Sequence, residues 1–293
     1  MPHAIDHIVH ASRDLAAQAE FYRRLGFHVG ARNHHPWGTE NHIVQFPDHF
    51  LELIGRGPGF RAPVDLDPHV FSFAGFVSDE LTRAEGVSML AVQTKDAAAT
   101  RAAFKAAGLG DYAPFHFERK GKRADGGESH VAFTLAFAHS PLMPRIGFFA
   151  CQHHRPEDFY APEWQVHPNG AVGIAGVVIV AENPAAHAEF LSALTGQREM
   201  LATSMGIDLE VADEQSIEIL TEAAFRYRFG VAALGEGLDQ PRIAACRIAV
   251  RDIGVLADIL DDNGIAAEEV GNRLVLSPTT AFGVALAFEA VTE

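Results

Sequence analysis

The sequence predicts an α+β protein of four βαβββ modules, paired into two domains, each a curved eight-stranded mixed sheet with its helices on the outside. Three observations predict it. A strand, a capped helix and three further strands recur four times along the 293 residues. In each recurrence a capping Asp or Asn precedes a terminating Gly by 12 or 13 residues (Asp14 and Gly26, Asp96 and Gly108, Asn183 and Gly196, Asp252 and Gly264). That spacing fits a helix of about three turns. A polar join with three prolines, RPEDFYAPEWQVHPNG, falls between the second and third recurrences and reads as the domain boundary.

The first module opens with IDHIVHA as a strand. Asp14 caps LAAQAEFYRRLG, whose Phe21, Tyr22 and Leu25 form an apolar stripe, and Gly26 stops it. FHVG, ENHIVQF and HFLELIG follow as short strands. In the second module SMLAVQT leads to a helix containing Phe104, then to PFHFERKG, SHVAFTLAFA and RIGFFACQ. GIAGVVIV leads the third, whose helix holds Phe190 and Leu191 and whose later strands are REMLATS, DLEVAD and SIEILT. ACRIAV leads the fourth, with Leu256 and Leu260 in the helix and AAEEVG, RLVLSP and VALAFEA behind it. GRGPGFRAPVDLDP and GVAALGEGLDQP read as the links within each pair, and HPNG (167–170) as the turn that starts the second domain. The modules thus span 1–55, 87–155, 171–228 and 243–293, and the domains 1–160 and 161–293.

Composition narrows the function. With 38 acidic against 23 basic side chains the net charge is -15, which argues against nucleic-acid or anionic-membrane partners. Two cysteines, Cys151 and Cys246, give no disulfide framework and no CxxC pair. No apolar run is long enough to cross a membrane, and no secretory signal is expected, so the expected location is the cytoplasm. HExxH, P-loop, GxSxG and dinucleotide-binding fingerprints are absent, so no nucleotide cofactor is expected.

Alternation along the first strand puts Ile5, His7, Val9 and Ala11 on one face and Asp6, Ile8 and His10 on the other. His7 and His10 then cannot serve one site, and His10 reads as structural. In RNHHPWGTEN (32–41) Trp37 would supply an apolar wall and Asn41 or Glu40 polar contacts to a cavity, with His34 and His35 exposed. FERKGKRADGGES (117–129) reads as a solvated hairpin tip.

The strand DHIVHASRDL, the helix AEFYRRLGF and the strand FLELIG resemble the vicinal oxygen chelate superfamily, which includes glyoxalase I, extradiol dioxygenases and the fosfomycin- and bleomycin-resistance proteins. HPWGTENHIVQFPDHFLELIG is similar to glyoxalase-like families that carry a GT-x-N segment before an LEL strand, and HPNGAVGIAGVVI is similar too. The resemblance is specific over 3–55, extends over 87–180, and beyond that rests on the repeat. It implies two glyoxalase-like domains, a small-molecule substrate, and a divalent ion (Fe, Mn, Ni or Zn). Such an ion would chelate adjacent substrate oxygens in a lyase, isomerase or dioxygenase reaction. Both a monomer and a homodimer fit it.

The family's metal positions, a His on a module's first strand and a Glu on its last, fall on His7 and Glu52. Glu52 would also be the candidate general base. The second module departs from the pattern. The His position becomes Met89, Gln93 is a weaker donor on the same face, and the last strand offers Phe149, Cys151 and His153 without a glutamate. His153 or Cys151 would complete the set; Trp37, Asn41, Gln93, Phe149 and Cys151 would contact substrate. In the third and fourth modules the His position is Gly176 and Ala245, leaving the carboxylates Glu218 and Glu289, so no such site is expected there. Two readings of His7 and Glu52 stay open: metal or acid–base work, and a hydrogen-bonded polar pair in a metal-free binding protein of the bleomycin-resistance type.

Overall fold

A computed structural model describes residues 3–62, 67–122, 127–212, 214–230 and 240–291. The tip of the hairpin read at 117–129 and most of the link read at 230–241 lie outside the described residues, at 123–126 and 231–239.

The first module consists of β1 (Ile5–Ala11), α1 (Leu15–Arg24), β2 (Asn33–His34), β3 (Thr39–Gln45) and β4 (Phe50–Arg56). A helix the sequence reading did not anticipate, α2 (Phe73–Arg83), leads to the second: β5 (Gly86–Gln93), α3 (Ala97–Ala106), β6 (Phe115–Lys122), β7 (Glu128–Ala138), β8 (Gly147–His153) and the single turn α4 (Pro156–Phe159). The third holds β9 (Ala171–Val180), α5 (Ala188–Thr195), β10 (Leu201–Thr203), β11 (Gly206–Ala212) and β12 (Gln215–Leu220), followed by α6 (Glu222–Phe229). The fourth holds β13 (Arg242–Val250), α7 (Ile253–Asp262), β14 (Glu268–Val270), β15 (Arg273–Leu276) and β16 (Ala285–Ala290).

Capping explains three of the module helices. The side chains of Asp14, Asp96 and Asp252 accept backbone N–H groups from Ala17, Ala99 and Gly254, satisfying donors the first turn leaves open. Asn183 makes no such bond: Pro184–His187 is a 3-10 turn, and α5 begins after it. The four terminating glycines all sit in the left-handed region, with φ from 62° to 82°, where a side chain is strained.

Within each module the strand order is first–fourth–third–second, with the first and fourth strands parallel. Modules pair through their first strands: β1 with β5, and β9 with β13, both antiparallel. One bridge, Ile243 opposite Val87, joins the two eight-stranded sheets into a continuous path. Each sheet has two apolar faces. On the convex faces the module helices of both units share one core, seen in the contacts Phe21–Phe282, Phe27–Phe288 and Phe148–Phe190. The concave faces carry separate clusters. Val9, Met89, Ala91, Leu135 and Phe149 fill the first, plugged by Phe73, Val77 and Leu81 of α2. In the second, Phe225 and Phe229 of α6 pack beneath Val178 and Ala245.

The HPNG segment does more than turn the chain. His167 accepts the His28 N–H at 3.1 Å and donates to the Gln45 carbonyl at 2.9 Å, while Asn169 donates to the Leu25 carbonyl at 2.8 Å. It latches the start of the second unit onto the end of α1.

Candidate active site

The concave face of the first unit encloses a cavity of about 100 Å³. Seven phenylalanines and Trp37 wall it: Phe50 from β4, Phe73 from α2, Phe115 and Phe117 from β6, Phe133 and Phe149 from β7 and β8, and Phe159 from α4. His7, His35, Asn33, Asn41, Glu52, Arg119 and Cys151 supply its polar groups. Few polar groups converging in an aromatic pocket is the make-up of a small-molecule site.

His7 stacks on Phe50 (centroids 4.2 Å apart, 14° between planes) and meets Phe149 edge-on. Its partner overturns the strict alternation read from the sequence. Ile5 pairs with Val92 and His7 with Ala91, so Asp6 is the extra residue of a β-bulge and turns to the side of His7. Asp6 Oδ1 lies 2.5 Å from His7 Nδ1, and Asp6 Oδ2 lies 3.2 Å from His153 Nε2. Burial pushes the Asp6 carboxyl up, but the hydrogen bonds from His153 and His7 outweigh it and hold it at about 2. Asp6 is therefore ionised and accepts; His7, which lines the cavity, donates through Nδ1, and its Nε2 makes no hydrogen bond among the described residues.

Glu52 is held by a chain of donors. Asn41 Nδ2 donates to Glu52 Oε1 at 2.6 Å, Asn33 Nδ2 donates to Asn41 Oδ1 at 3.0 Å, and Arg119 donates to Asn33 Oδ1 at 2.7 Å. Asn41 Nδ2 also lies 3.2 Å from His35 Nε2, which must then accept, so His35 Nδ1 donates to Thr39 Oγ1 at 2.8 Å. The same hydroxyl oxygen accepts the Trp37 indole N–H at 2.8 Å. Burial lowers the pKa of His35 and favours this neutral form. Every amide thus points its N–H toward Glu52, and the carboxylate's second oxygen makes no hydrogen bond among the described residues.

Several expectations are corrected. His35 was read as exposed, yet its side chain is 10% exposed and sits in the site. Gln93 does not reach the cavity: its amide donates to the Asp48 carbonyl at the strand end. His153 lies behind the wall, against Asp6, Phe133 and Tyr160, with Nδ1 buried and unpartnered. Asp6 and Asn33 join the site without a sequence signal that places them there. Arg119 was assigned to a solvated hairpin, although the period-two pattern of β6 places it on the side of Phe115 and Phe117. Glu40 pairs with Arg32 and His34 and is not in the cavity wall.

Among the described residues, one group of three donors lies within 4.8 Å of one another and could hold a metal: Asp6, His7 and Cys151. It differs from the expected set of His7, Glu52 and His153. Its members also do not fit an ion as they stand. Asp6 and His7 bond each other, and burial, with the Asp6 and Glu52 charges, pushes the Cys151 thiol well above its usual range, away from the ligating thiolate. The two-fold between modules tells the same story. It passes through the Ile8–Leu90 pair, relating His7 to Met89, and Glu52 (beside Val9) to Phe149 (beside Ala91). Half of a four-donor shell is apolar.

The concave face of the second unit is filled differently. Arg247 donates to Glu218 at 2.7 Å and to Glu289 at 2.6 Å, and Arg273 donates to Glu289 at 2.7 Å. The two carboxylates left at the family positions are neutralised by guanidinium groups.

No curated protein matches the chain. Among solved structures, a hypothetical protein from Staphylococcus aureus superposes with a TM-score of 0.68 at 13% identity, covering 98% of this chain and 99% of that one. A mutant of 4-hydroxymandelate synthase from Streptomyces coelicolor has a TM-score of 0.56 at 14% identity, covering 100% and 95%. The Mn(II)-bound glyoxalase from Novosphingobium aromaticivorans has a TM-score of 0.56 at 13% identity, covering 100% and 84%. At such identities the likeness is one of fold. The family model described as glyoxalase-like domain matches residues 5–195. That span is more than half of the chain and contains the whole aromatic cavity; the protein belongs to the glyoxalase-like domain family of the vicinal oxygen chelate superfamily.

Proposed function

We propose that the protein is an enzyme that moves a proton on a small planar, oxygenated molecule held in the cavity of the first unit, with His7 and Glu52 as the paired proton-transfer groups. One observation carries this reading. Two of the ionisable side chains lining the aromatic-walled cavity, a histidine and a carboxylate, each have one polar atom tied back, His7 by Asp6 and Glu52 by Asn41. A base whose orientation is fixed by a second group, in an aromatic-walled pocket, suits abstraction of a proton beside a carbonyl. Arg119 and the Asn33–Asn41 chain hold Glu52 in place, and the aromatic walls stack the substrate's plane.

The metal-dependent reading, with a divalent ion on His7, Glu52 and His153, is the competitor. The Mn(II)-bound glyoxalase neighbour favours it, and Met89 and Phe149 oppose it. The metal-free binding protein is a third reading, favoured by the aromatic walls alone. Two buried, unpaired cysteines fit a reducing cytoplasm, and among the described residues no helix is long and apolar enough to cross a membrane.

The test combines two measurements on protein purified without a polyhistidine tag. Elemental analysis is expected to return Fe, Mn, Ni and Zn well below one equivalent. In D2O, loss of the CH2 proton signal of 2-hydroxyacetophenone is expected to be catalysed, and slowed about 10²–10⁴-fold in Glu52→Gln and in His7→Gln. Stoichiometric metal that disappears in the His7→Ala, Glu52→Ala variant would establish the metal-dependent reading instead. Binding of the ketone without exchange would leave the binding protein.

A further inference from the structure

A second cavity of about 490 Å³ opens against the first. The two share Asn33, Ile43, Arg119, Val131 and Phe159 in their walls, so the partition between them is a few side chains thick. Phe159 forms its apolar part, packed at 4.9 Å on Phe50 and 5.4 Å on Phe133. Arg119, tied to Asn33, forms its polar part. The inner cavity, at about 100 Å³, has room for about one six-membered ring. Any larger ligand must project past Phe159 and Arg119 into the outer cavity.

The outer cavity is chemically unlike the inner one. Glu157, Asp158 and Glu163 line it, with the rings of Tyr160 and Trp164. Glu157 and Glu163 are exposed and make no ion pair among the described residues, whereas Asp158 is engaged by the His130 N–H and by Arg155. Trp164 is 41% exposed, an aromatic face open to whatever enters. The segment presenting these groups is fixed: the Gln45 amide donates to the Phe159 carbonyl at 2.7 Å and accepts the Ala161 N–H at 3.0 Å. Three carboxylates beside the open indole of Trp164, against the one guanidinium of Arg119 in the same wall, attract an ammonium group by charge and by cation–π contact, and repel a carboxylate.

We propose that the two cavities form one bipartite site whose ligand is a planar ring joined by a short chain to an ammonium group. The ring occupies the inner cavity, and the ammonium lies against Glu157, Glu163 and Trp164. The inference rests on the reading of the inner cavity as the small-molecule site, and the experiment separates the two.

Calorimetric titration of the full chain at low salt uses three probes of similar shape: 2-phenylethylamine, 2-phenylethanol and 3-phenylpropionate. The amine is expected to bind about fivefold tighter than the alcohol, and the carboxylate more weakly than either. In Glu157→Gln/Glu163→Gln the amine-to-alcohol affinity ratio is expected to fall to about one; both glutamates are exposed, so the fold should survive. Trp164→Leu is the second variant and should lower the same ratio. Equal binding of amine and alcohol, or a ratio unchanged in both variants, overturns the bipartite site and leaves the ring cavity standing. Failure of all three probes to bind overturns both.

Discussion

At the scale of single residues, protonation is decided by who donates to whom. Asp6, ionised and buried, fixes His7 as the Nδ1–H tautomer. Long-range 15N–1H correlation spectra should therefore show a His7 proton on Nδ1, and a mixture of tautomers in Asp6→Asn. A wild-type His7 protonated at Nε2 alone would contradict the assignment and the proton-transfer role built on it. His10 and His167 are neutral for a different reason. Burial lowers each to about 4, and each accepts through one nitrogen: His10 from the Tyr22 hydroxyl, His167 from the His28 N–H. The unfolded chain takes up these protons near pH 6.5, the folded chain only near 4. The unfolded state thus binds more protons in that window, and stability falls as pH falls from about 6.5 to about 4. Urea unfolding at pH 7 and pH 5 should differ by about 2 kcal/mol for each histidine, and the difference should shrink in His167→Asn. A pH-independent midpoint across this window would count against both placements.

At the scale of elements, the modules were legible because the same local chemistry recurs: an apolar stripe and a left-handed glycine in all four, and a capping aspartate in three. Local signals of this kind survive in any tertiary context. The site was legible only in part. His7, Glu52, Asn41, Trp37, Phe149 and Cys151 lie on regular strands or beside a turn, where alternation places them. Asp6 was missed because a bulge, set by how β1 fits β5, reverses the alternation at one residue. The helix α2, which contributes Phe73 to the cavity, lies between repeats and follows no recurring pattern. The joint between units shows the same dependence on tertiary fit. Phe282 and Gly283 both have positive φ (52° and 86°); the Phe282 carbonyl accepts from His10, and a Cβ on Gly283 would stand 2.0 Å from the Glu85 carbonyl oxygen, where β5 begins. Backbone cannot yield as a side chain does. Gly283→Ala should cost about 2 kcal/mol or more, lowering the thermal midpoint by about 4–8 °C. A midpoint within about 1 °C of the wild type would show that the turn adapts.

At the scale of the molecule, two repeats can be independent domains or one folding unit, and the convex faces decide between them. The helices of the first unit do not face water alone: Phe21 and Phe27 meet Phe282 and Phe288 of the fourth module, and Phe148 meets Phe190 of the third. The side-chain hydrogen bonds of the 167–170 latch and the Ile243–Val87 bridge add contacts across the same boundary. Separating the chain at 160/161 would expose this shared core, and each buried aromatic brought to water costs about 1.5–3 kcal/mol. Stability of a domain is only about 5–15 kcal/mol, so a few such rings are enough to unfold it. Calorimetry of the full chain should accordingly show a single cooperative transition with equal calorimetric and van't Hoff enthalpies. The 1–160 fragment, although it contains every residue of the aromatic cavity, should show no such transition and no ring binding. Two resolved transitions, or a 1–160 fragment that melts cooperatively, would mean that the first unit carries its own core and that the second is an accessory to it.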